Sequence, residues 1–282
     1  MIRTHSVLIA ITLFALSAVP CSAVVVMISD LTPAGSPMEE FFNNNFSNVT
    51  EIRHGNYANF ANSQDALNGT GAFAGSGAAD VFVIGRSLSS GDYDAGDADG
   101  YNAIDIPFIN FTSYTAREAG NRLGWHDGSA NNADSRDGAE TTVTAAGAAM
   151  IGIPEGDYDV WTDGRNFNGL GTSTNVGTGD ILATVNGNIL AAHWDAGDAP
   201  GNPTNAGLDT FPATRLLLNL DNEPNAGNDG MNDFTGLTTD GFEAYVGLIA
   251  ANTPLNAVPE PSSCLMSLLG IGLVISRLRR RR

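Results

Sequence analysis

Polar and charged side chains follow three apolar runs of the sequence, at the points where those runs end. The runs are "VVVMI", "DVFVI" and "IPFINF", and serine, threonine, aspartate or arginine follows each within a few residues. In open α/β sheets, ligands bind outside the carboxyl ends of the strands, near the point where the strand order reverses. If the runs are parallel strands, their ends form a candidate ligand site made of Asp30, Arg86, Ser87, Tyr114 and Arg117.

Nucleophilic chemistry at these ends would have to do without a thiol. Cys21 and Cys264 are the only cysteines, and both lie in apolar segments near the termini. The long segment between them therefore offers neither a thiolate nucleophile nor a disulfide framework.

A serine nucleophile is the remaining possibility for covalent catalysis. Ser87 follows a predicted strand, but "GRSLS" lacks the Gly-x-Ser-x-Gly elbow that exposes a serine hydroxyl. His54, His126 and His193 could pair with it in principle, although scattered histidines are more often structural or surface residues. We assign no catalytic residue, and a carbohydrate- or ester-acting hydrolase stays open as an alternative.

The stretch "SGDYDAGDADGYN" is the richest source of carboxylates. Their hard oxygen atoms suit Ca²⁺. An EF-hand loop placed on this stretch would have Ala95 as its first ligand and Ile106 as its twelfth, so that motif does not fit. The stretch predicts either a calcium site or a flexible acidic loop, and "DNEPNAGNDGMND" has the same two readings. The candidate calcium ligands are Asp92, Asp94, Asp97 and Asp99.

Three tryptophans, Trp125, Trp161 and Trp194, could stack on sugar rings. Tryptophan is usually well buried, however, and the last two lie inside predicted strands. Sugar binding and a structural role in the core are both compatible with the sequence.

The charge of the chain excludes nucleic acid as a partner. The 282 residues carry 13 basic and 31 acidic side chains, and none of the basic residues is lysine. Six arginines lie at the two ends, whereas only one acid does, which leaves seven positive and 30 negative side chains between them, a net charge of −23. Such a surface repels nucleic acid and anionic lipid, and it suits a saline or calcium-containing exterior.

The segment that must position these residues, 24–252, reads as one α/β domain. "VVVMISD", "NVTEIRH", "ADVFVIGRS" and "AIDIPFINFTSY" are predicted strands, and "SPMEEFFNNNF" is a predicted helix with Ser36 as N-cap and Pro37 in its first turn. "GDYDVWTD", "DILATVNGNILAAHWDAGD" and "TRLLLNLDN" predict further strands, with Asn186-Gly187 as a hairpin turn. "LTTDGFEAYVGLIAAN" predicts a closing helix capped by Thr238 or Thr239. Its apolar face would contain Phe242, Tyr245, Val246 and Ile249.

This order of elements resembles a ThuA-like domain, a branch of the class I glutamine amidotransferase-like, flavodoxin-like superfamily. The likeness lies in "VVVMISD", "ADVFVIGRSLSSGDYD", "DIPFINFTSYTAR", the strand pair and the closing helix. It implies a largely parallel sheet flanked by helices. The amidotransferase cysteine is missing here, so glutaminase chemistry is excluded, and a fold likeness alone does not transfer a function.

The first 23 residues have the order of a secretory signal peptide: Arg3 and His5, an apolar stretch, Pro20, and small residues up to Ala23. We expect export through the Sec translocon and cleavage by signal peptidase after Ala23. An uncleaved membrane anchor is the alternative, but thirteen apolar positions, 7–19, are short for a span.

The last 25 residues, 258–282, carry a second address after a linker at 253–257. "VPEP" precedes an apolar run at about 262–276, which predicts a terminal apolar helix, and a cluster of arginines follows. This arrangement resembles the PEP-CTERM sorting signal of Gram-negative bacteria. The resemblance implies an inner-membrane intermediate, recognition and probable cleavage by an exosortase, and an association with exopolysaccharide at the cell surface. The residues that carry the resemblance are Pro259, Glu260 and Pro261, followed by the arginine cluster of Arg277, Arg279, Arg280, Arg281 and Arg282.

Together these features favour an exported, non-catalytic protein of the cell surface or extracellular matrix. No cofactor is required by any motif, apart from the calcium alternative. A plain C-terminal anchor would account for the apolar run and the arginines but not for Pro-Glu-Pro.

Overall fold

A computed structural model of the chain describes residues 24–28, 37–46, 48–52, 60–85, 90–118, 120–128, 130–135, 140–161, 166–170, 175–220, 234 and 237–253. Within these residues there are eleven strands: β1 Val24–Ile28, β2 Asn48–Ile52, β3 Val81–Ile84, β4 Phe108–Asn110, β5 Ala130–Ser135, β6 Thr141–Val143, β7 Gly156–Tyr158, β8 Asn166–Leu170, β9 Asp180–Val185, β10 Asn188–Trp194 and β11 Arg215–Leu218. The described α-helices are α1 Pro37–Asn45, α2 Phe60–Asn68, α3 Ala95–Asn102, α4 Ser113–Ala116, α5 Ala145–Ile151, α6 Pro203–Ala206 and α7 Thr239–Asn252.

The described strands form one mixed sheet, flanked by helices. Its first half is parallel and has the order β2-β1-β3-β4-β11. This is the 2-1-3-4-5 order of flavodoxin-like sheets, with β11 as the fifth strand. Strands β3, β4 and β11 are buried along their whole length, as their apolar sequences predict for parallel strands covered on both faces. The predicted α/β class is confirmed.

The second half of the sheet is antiparallel and continues from β11 through β10, β9 and β6 to β7. Strand β8 pairs with β10 and with β5. The predicted turn joins β9 to β10, with Asn186 at φ 49° and Gly187 at φ 76°. Positive φ at both central residues is the type I′ geometry, and a two-residue connection can only join antiparallel neighbours. The hairpin therefore makes β9 and β10 antiparallel neighbours within this half of the sheet.

Alternating residues of each parallel strand supply two separate cores. Val81 and Val83 of β3 pack on one face, in the cluster that contains Phe42 of α1 and Ile249 of α7. Phe82 and Ile84 pack on the other face, in the cluster that contains α3 and two of the tryptophans. Successive side chains of a strand point to opposite faces, so an unbroken apolar run needs two covered faces.

Arg215, the first residue of β11, is fully buried and ties this strand to the end of α3. Its Nη2 donates to the carbonyls of Asn102 and Ile104, and its Nη1 donates to three more, at N–O distances of 2.5–3.2 Å over all five. The guanidinium also lies 5.4 Å from the ring centre of Phe108 and 5.3 Å from that of Phe211. Burial lowers the pKa of Arg215 to about 9, and the negative charge of Asp105 partly opposes this shift. The side chain therefore remains protonated at neutral pH.

The acidic stretch is helical where the sequence predicted a loop or a calcium site. A 3₁₀ turn at Ser90–Tyr93 leads into α3, with Asp94 at the N-cap position and Asp97 in the first turn. Tyr93, Ala98 and Tyr101 are buried, and the two tyrosine rings lie 4.8 Å apart. The burial of these three residues holds a Gly- and Asp-rich segment in a helix that its propensities disfavour.

Two smaller expectations also differ from the structure. The strand predicted from "AIDIPFINFTSY" is limited to Phe108–Asn110. The closing helix is capped by Thr238, whose Oγ1 accepts from Gly241 N at 2.9 Å, as one alternative predicted. Its buried residues include Tyr245 and Ile249, but Phe242 is 36% exposed because the buried stripe passes through Gly241, Tyr245 and Leu248.

The predicted signal peptide, residues 1–23, and the predicted C-terminal apolar helix, residues 262–276, lie outside the described residues. Of the helices that the structure does describe, none combines the length and the apolar character that a bilayer crossing requires.

Candidate ligand site at the carboxyl edge of the parallel strands

The carboxyl ends of β1, β3, β4 and β11 lie along one edge of the parallel half. The strand order reverses between β1 and β3, so that pair forms the switch point. Three of the predicted ligand-site residues, Asp30, Arg86 and Ser87, follow these two strands and lie outside the described residues. The other two, Tyr114 and Arg117, follow β4 and are described.

A hydrogen-bonded turn fixes the backbone after β4. Asn110 is buried, and its Oδ1 accepts from Thr112 N and from Thr115 Oγ1, both at 3.0 Å. Thr112 Oγ1 in turn accepts from Tyr114 N at 3.3 Å, as the N-cap of α4. These contacts set the direction in which α4 and the residues after it leave the sheet.

Tyr114, in α4, and Arg117, the C-cap of α4, lie three residues apart at this edge. The Arg117 guanidinium carbon is 4.8 Å from the centre of the Tyr114 ring, within the range of a cation–π contact. Both side chains are half-buried. The structure therefore brings these two of the five predicted residues into contact.

His126, which the sequence analysis named only as one of three possible partners of Ser87, lies beside Arg117. Arg117 and His126 form an isolated parallel bridge, and His126 is fully buried. Its Nδ1 accepts from Gly128 N at 3.1 Å, which places the ring proton on Nε2. The sequence carries no signal for this contact with Arg117 except the Trp-His-Asp triplet, because the contact joins residues nine positions apart.

Burial decides the protonation state of His126. The pKa of His126 is lowered to about 3, chiefly because burial disfavours the imidazolium. The charge of Arg117 lowers the pKa further, while the backbone of Ser113 opposes the shift. His126 is thus neutral at physiological pH, and its burial and low basicity fit a structural histidine better than a general base.

The carboxylates of the acidic stretch contact separate partners. Asp94 Oδ2 lies 3.1 Å from Arg122 Nη1, and Asp97 Oδ1 accepts from Phe60 N at 3.1 Å. Asp99 is exposed, and the side chain of Asp92 is outside the described part of the chain. Across the described residues, no three His, Cys, Asp or Glu side chains form a group that could hold a metal ion.

The three tryptophans are core residues. Trp125 and Trp194 are fully buried, and Trp161 is 8% exposed. Trp125 Nε1 donates to Asn102 Oδ1 at 2.8 Å, and Trp194 Nε1 donates to the Val176 carbonyl at 2.7 Å. The hypothesis that these rings stack on sugars is therefore wrong, because their faces pack against other side chains.

Comparison with known proteins identifies the C-terminal segment. Residues 257–282 match the family described as "PEP-CTERM protein-sorting motif". This motif indicates an exported protein that is sorted by an exosortase, by way of an intermediate held in the membrane at its C-terminus. The predicted sorting residues Pro259, Glu260 and Pro261 lie within the match, as does the arginine cluster.

For the folded domain, the comparisons show only a weak structural similarity. No curated protein matches the chain. A solved structure described as "Cytoplasmic Protein STM3548 from Salmonella typhimurium" is similar over 82% of this chain and 99% of its own, with 9% sequence identity and a TM-score of 0.45. A likeness at this level carries no argument about function.

Proposed function

We propose that the chain is a non-catalytic protein of the cell surface or extracellular matrix, delivered there by an exosortase-type system. The observation that carries the proposal is the PEP-CTERM match at residues 257–282. The sorting address lies at one end of the chain, and a signal-peptide pattern lies at the other. The α/β domain between them would be the delivered cargo.

The delivery route follows from the two addresses. The Sec translocon would export the chain, and signal peptidase would cut after Ala23. The apolar run at 262–276 would then hold the chain in the inner membrane, because the terminal arginines stay on the cytoplasmic side. An exosortase would recognise Pro259, Glu260 and Pro261 there and release the domain to the cell surface.

A non-catalytic role for the domain is supported by its chemistry. The sequence has no cysteine between residues 24 and 257, and the histidine at the described part of the strand edge is buried and neutral. The parallel order β2-β1-β3-β4-β11 supports a ThuA-like domain that has lost the amidotransferase nucleophile. Contact with exopolysaccharide is part of the proposal, and polar residues rather than the three tryptophans would have to make it.

The ester-acting form of the hydrolase alternative depends on Ser87, which follows β3 in the sequence. A fluorophosphonate probe labels an activated serine hydroxyl, so a covalent adduct at Ser87 would replace the non-catalytic proposal by an esterase-type activity. We expect no adduct, because "GRSLS" has Ser89 where the elbow motif has its second glycine.

The sorting proposal is tested by mass spectrometry of both termini in the native membrane, envelope and medium fractions. We expect a mature chain that begins at Val24 and ends near Pro-Glu-Pro. Replacing Pro259, Glu260 and Pro261 by alanine should leave Arg282 in place and retain the chain in the membrane fraction. Pro254→Ala is the matched control, because it changes a proline of the same segment outside the motif.

Two results would overturn the proposal. An intact Arg282 in the wild-type chain, found in the membrane fraction alone, would mean a C-terminally anchored protein. Normal release of the triple-alanine chain would mean that Pro-Glu-Pro is not the recognised sequence.

A further inference from the structure

A cleft of about 310 Å³ opens between α5, α7 and the strand pair β6–β7. It shares no residue with the candidate ligand site after β4. Its described lining is Val143, Ile151, Ile153, Tyr158, Val160, Asp240, Glu243, Ala244 and Gly247. None of these residues is basic, and the walls are formed mainly by aliphatic side chains and one aromatic ring.

The cleft adjoins a smaller cavity of about 30 Å³ under α7. Both volumes are lined by Val143, Ile151, Val160 and Ala244, so the apolar surface continues inward. Thr141 also lines the inner cavity and is 1% exposed. Its Oγ1 makes no hydrogen bond to any described residue. A buried hydroxyl without a partner is costly, and it offers a hydrogen bond to a bound molecule.

The helix α7 presents one face to the cleft. Asp240, Glu243, Ala244 and Gly247 occupy positions i, i+3, i+4 and i+7 of α7, so they lie on one face of the helix. The small residues Ala244 and Gly247 keep the cleft open. Even the single added carbon of an alanine at Gly247 would lie 3.2 Å from Ile151 Cγ2, so a larger side chain there would fill the space. The two carboxylates are exposed at the rim. Small residues inside and acids outside make an apolar slot with a negative mouth.

The opposite wall is held in place by Tyr158. Its hydroxyl donates to the Pro154 carbonyl at 2.7 Å, so the ring cannot swing away without losing that bond. The wall is preformed, which lowers the entropy cost of binding.

We propose that this cleft binds a small organic cation: an amine whose aliphatic or aromatic body occupies the apolar slot and whose ammonium group lies at Asp240 and Glu243. The two carboxylates would attract the charge, and the net negative charge of the chain would raise the local concentration of cations. An anion with the same body would meet these carboxylates as like charges. The site therefore selects by charge at the mouth and by shape inside.

The test uses the full chain in lipid nanodiscs and two probes of matched shape and opposite charge, phenethylammonium and 3-phenylpropionate. Binding is measured by saturation-transfer NMR titration, with empty nanodiscs as the blank. We expect phenethylammonium to bind about five- to tenfold more tightly, because the two exposed carboxylates attract its ammonium group and repel the carboxylate of 3-phenylpropionate. Raising NaCl to about 0.5 M should reduce this preference.

Three variants locate the binding. Asp240→Asn with Glu243→Gln should abolish the preference for the cation, whereas Asp180→Asn with Asp209→Asn, which removes two exposed carboxylates elsewhere, should retain it. Ala244→Phe should abolish the binding of both probes by filling the slot. Equal affinity of the two probes for the wild-type chain would overturn the proposal, as would a preference that survives the Asp240/Glu243 change. If Ala244→Phe does not fold, the comparison between the Asp240/Glu243 variant and the Asp180/Asp209 variant still tests whether the preference for the cation depends on this cleft.

Discussion

His126 combines complete burial with a titratable ring, so its titration couples the stability of this fold to pH. The pKa of His126 is about 3 in the folded chain and 6.5 as the ordinary value. Between these values the unfolded chain binds a proton that the folded chain does not, so the free energy of unfolding falls as pH falls. The stability linked to neutral His126 is fully present above about pH 6.5 and is lost progressively toward pH 3.

We predict that lowering the pH from 7 to 5 costs the wild-type chain about 2 kcal/mol more than it costs His126→Asn. The asparagine amide oxygen can still accept from Gly128 N, as Nδ1 does, but it does not titrate. Urea unfolding of the full chain at both pH values measures the difference, and subtracting the variant removes the contribution of the carboxylates. The assignment fails if wild type and variant lose the same stability.

At the scale of elements, the connection between α3 and β11 depends on one buried guanidinium. The last four carbonyls of a helix have no partner within the helix. Arg215 Nη2 donates to the carbonyls of Asn102 and Ile104 at the end of α3. Its Nη1 donates to the carbonyls of Ile106, just before β4, and of Ala213, just before β11. No carboxylate has to be buried with it, because carbonyl dipoles and two aromatic rings surround the charge.

We predict that Arg215→Lys lowers the free energy of unfolding by about 2–3 kcal/mol. Lysine keeps the charge, but its single ammonium cannot reach five carbonyls arranged around a planar fork. Arg122→Lys is the matched control, because Arg122 pairs with the half-exposed Asp94, and we expect a loss below about 1 kcal/mol. Chemical denaturation of both variants measures this. Equal losses would show that the carbonyls do not depend on the fork.

At the scale of the whole molecule, the excess of acids between the two terminal addresses opposes compaction. Folding brings the net charge of −23 into a smaller volume. Of the seven arginines in this segment, Arg215 is buried in the interior and cannot pair with the acids at the surface. Salt screens repulsion between exposed charges over distances beyond the Debye length. The chain is therefore suited to a saline exterior, in agreement with its export.

We predict that the midpoint of thermal unfolding of the full chain rises by about 3–6 °C between about 20 mM and 500 mM NaCl. Parallel samples with CaCl₂ or MgCl₂ at a few millimolar test the calcium hypothesis: a specific site for Ca²⁺ would raise the midpoint with CaCl₂ and not with MgCl₂. A midpoint that falls or stays constant with NaCl would mean that repulsion among these acids does not limit stability.

The sequence by itself determined the C-terminal sorting motif, the parallel half of the sheet and the β9–β10 hairpin. The information for these features is local: the order Pro-Glu-Pro, apolar run and arginines is read along the chain, and Asn186-Gly187 fixes a turn through its own backbone angles. An apolar run such as "VFVI" likewise predicts a strand covered on both faces without any knowledge of what covers it.

Only the tertiary structure decided the roles of the acidic stretch, the tryptophans, His126 and Arg215. Each depends on contacts between residues distant in sequence: α3 is helical because Tyr93 and Tyr101 have a core to enter, and Arg215 is stable because carbonyls from other elements surround it. The cleft between α5 and α7 is likewise a product of packing. Burial sets the energy of a charged or aromatic side chain, and burial is a property of the whole fold, which no short stretch of sequence contains.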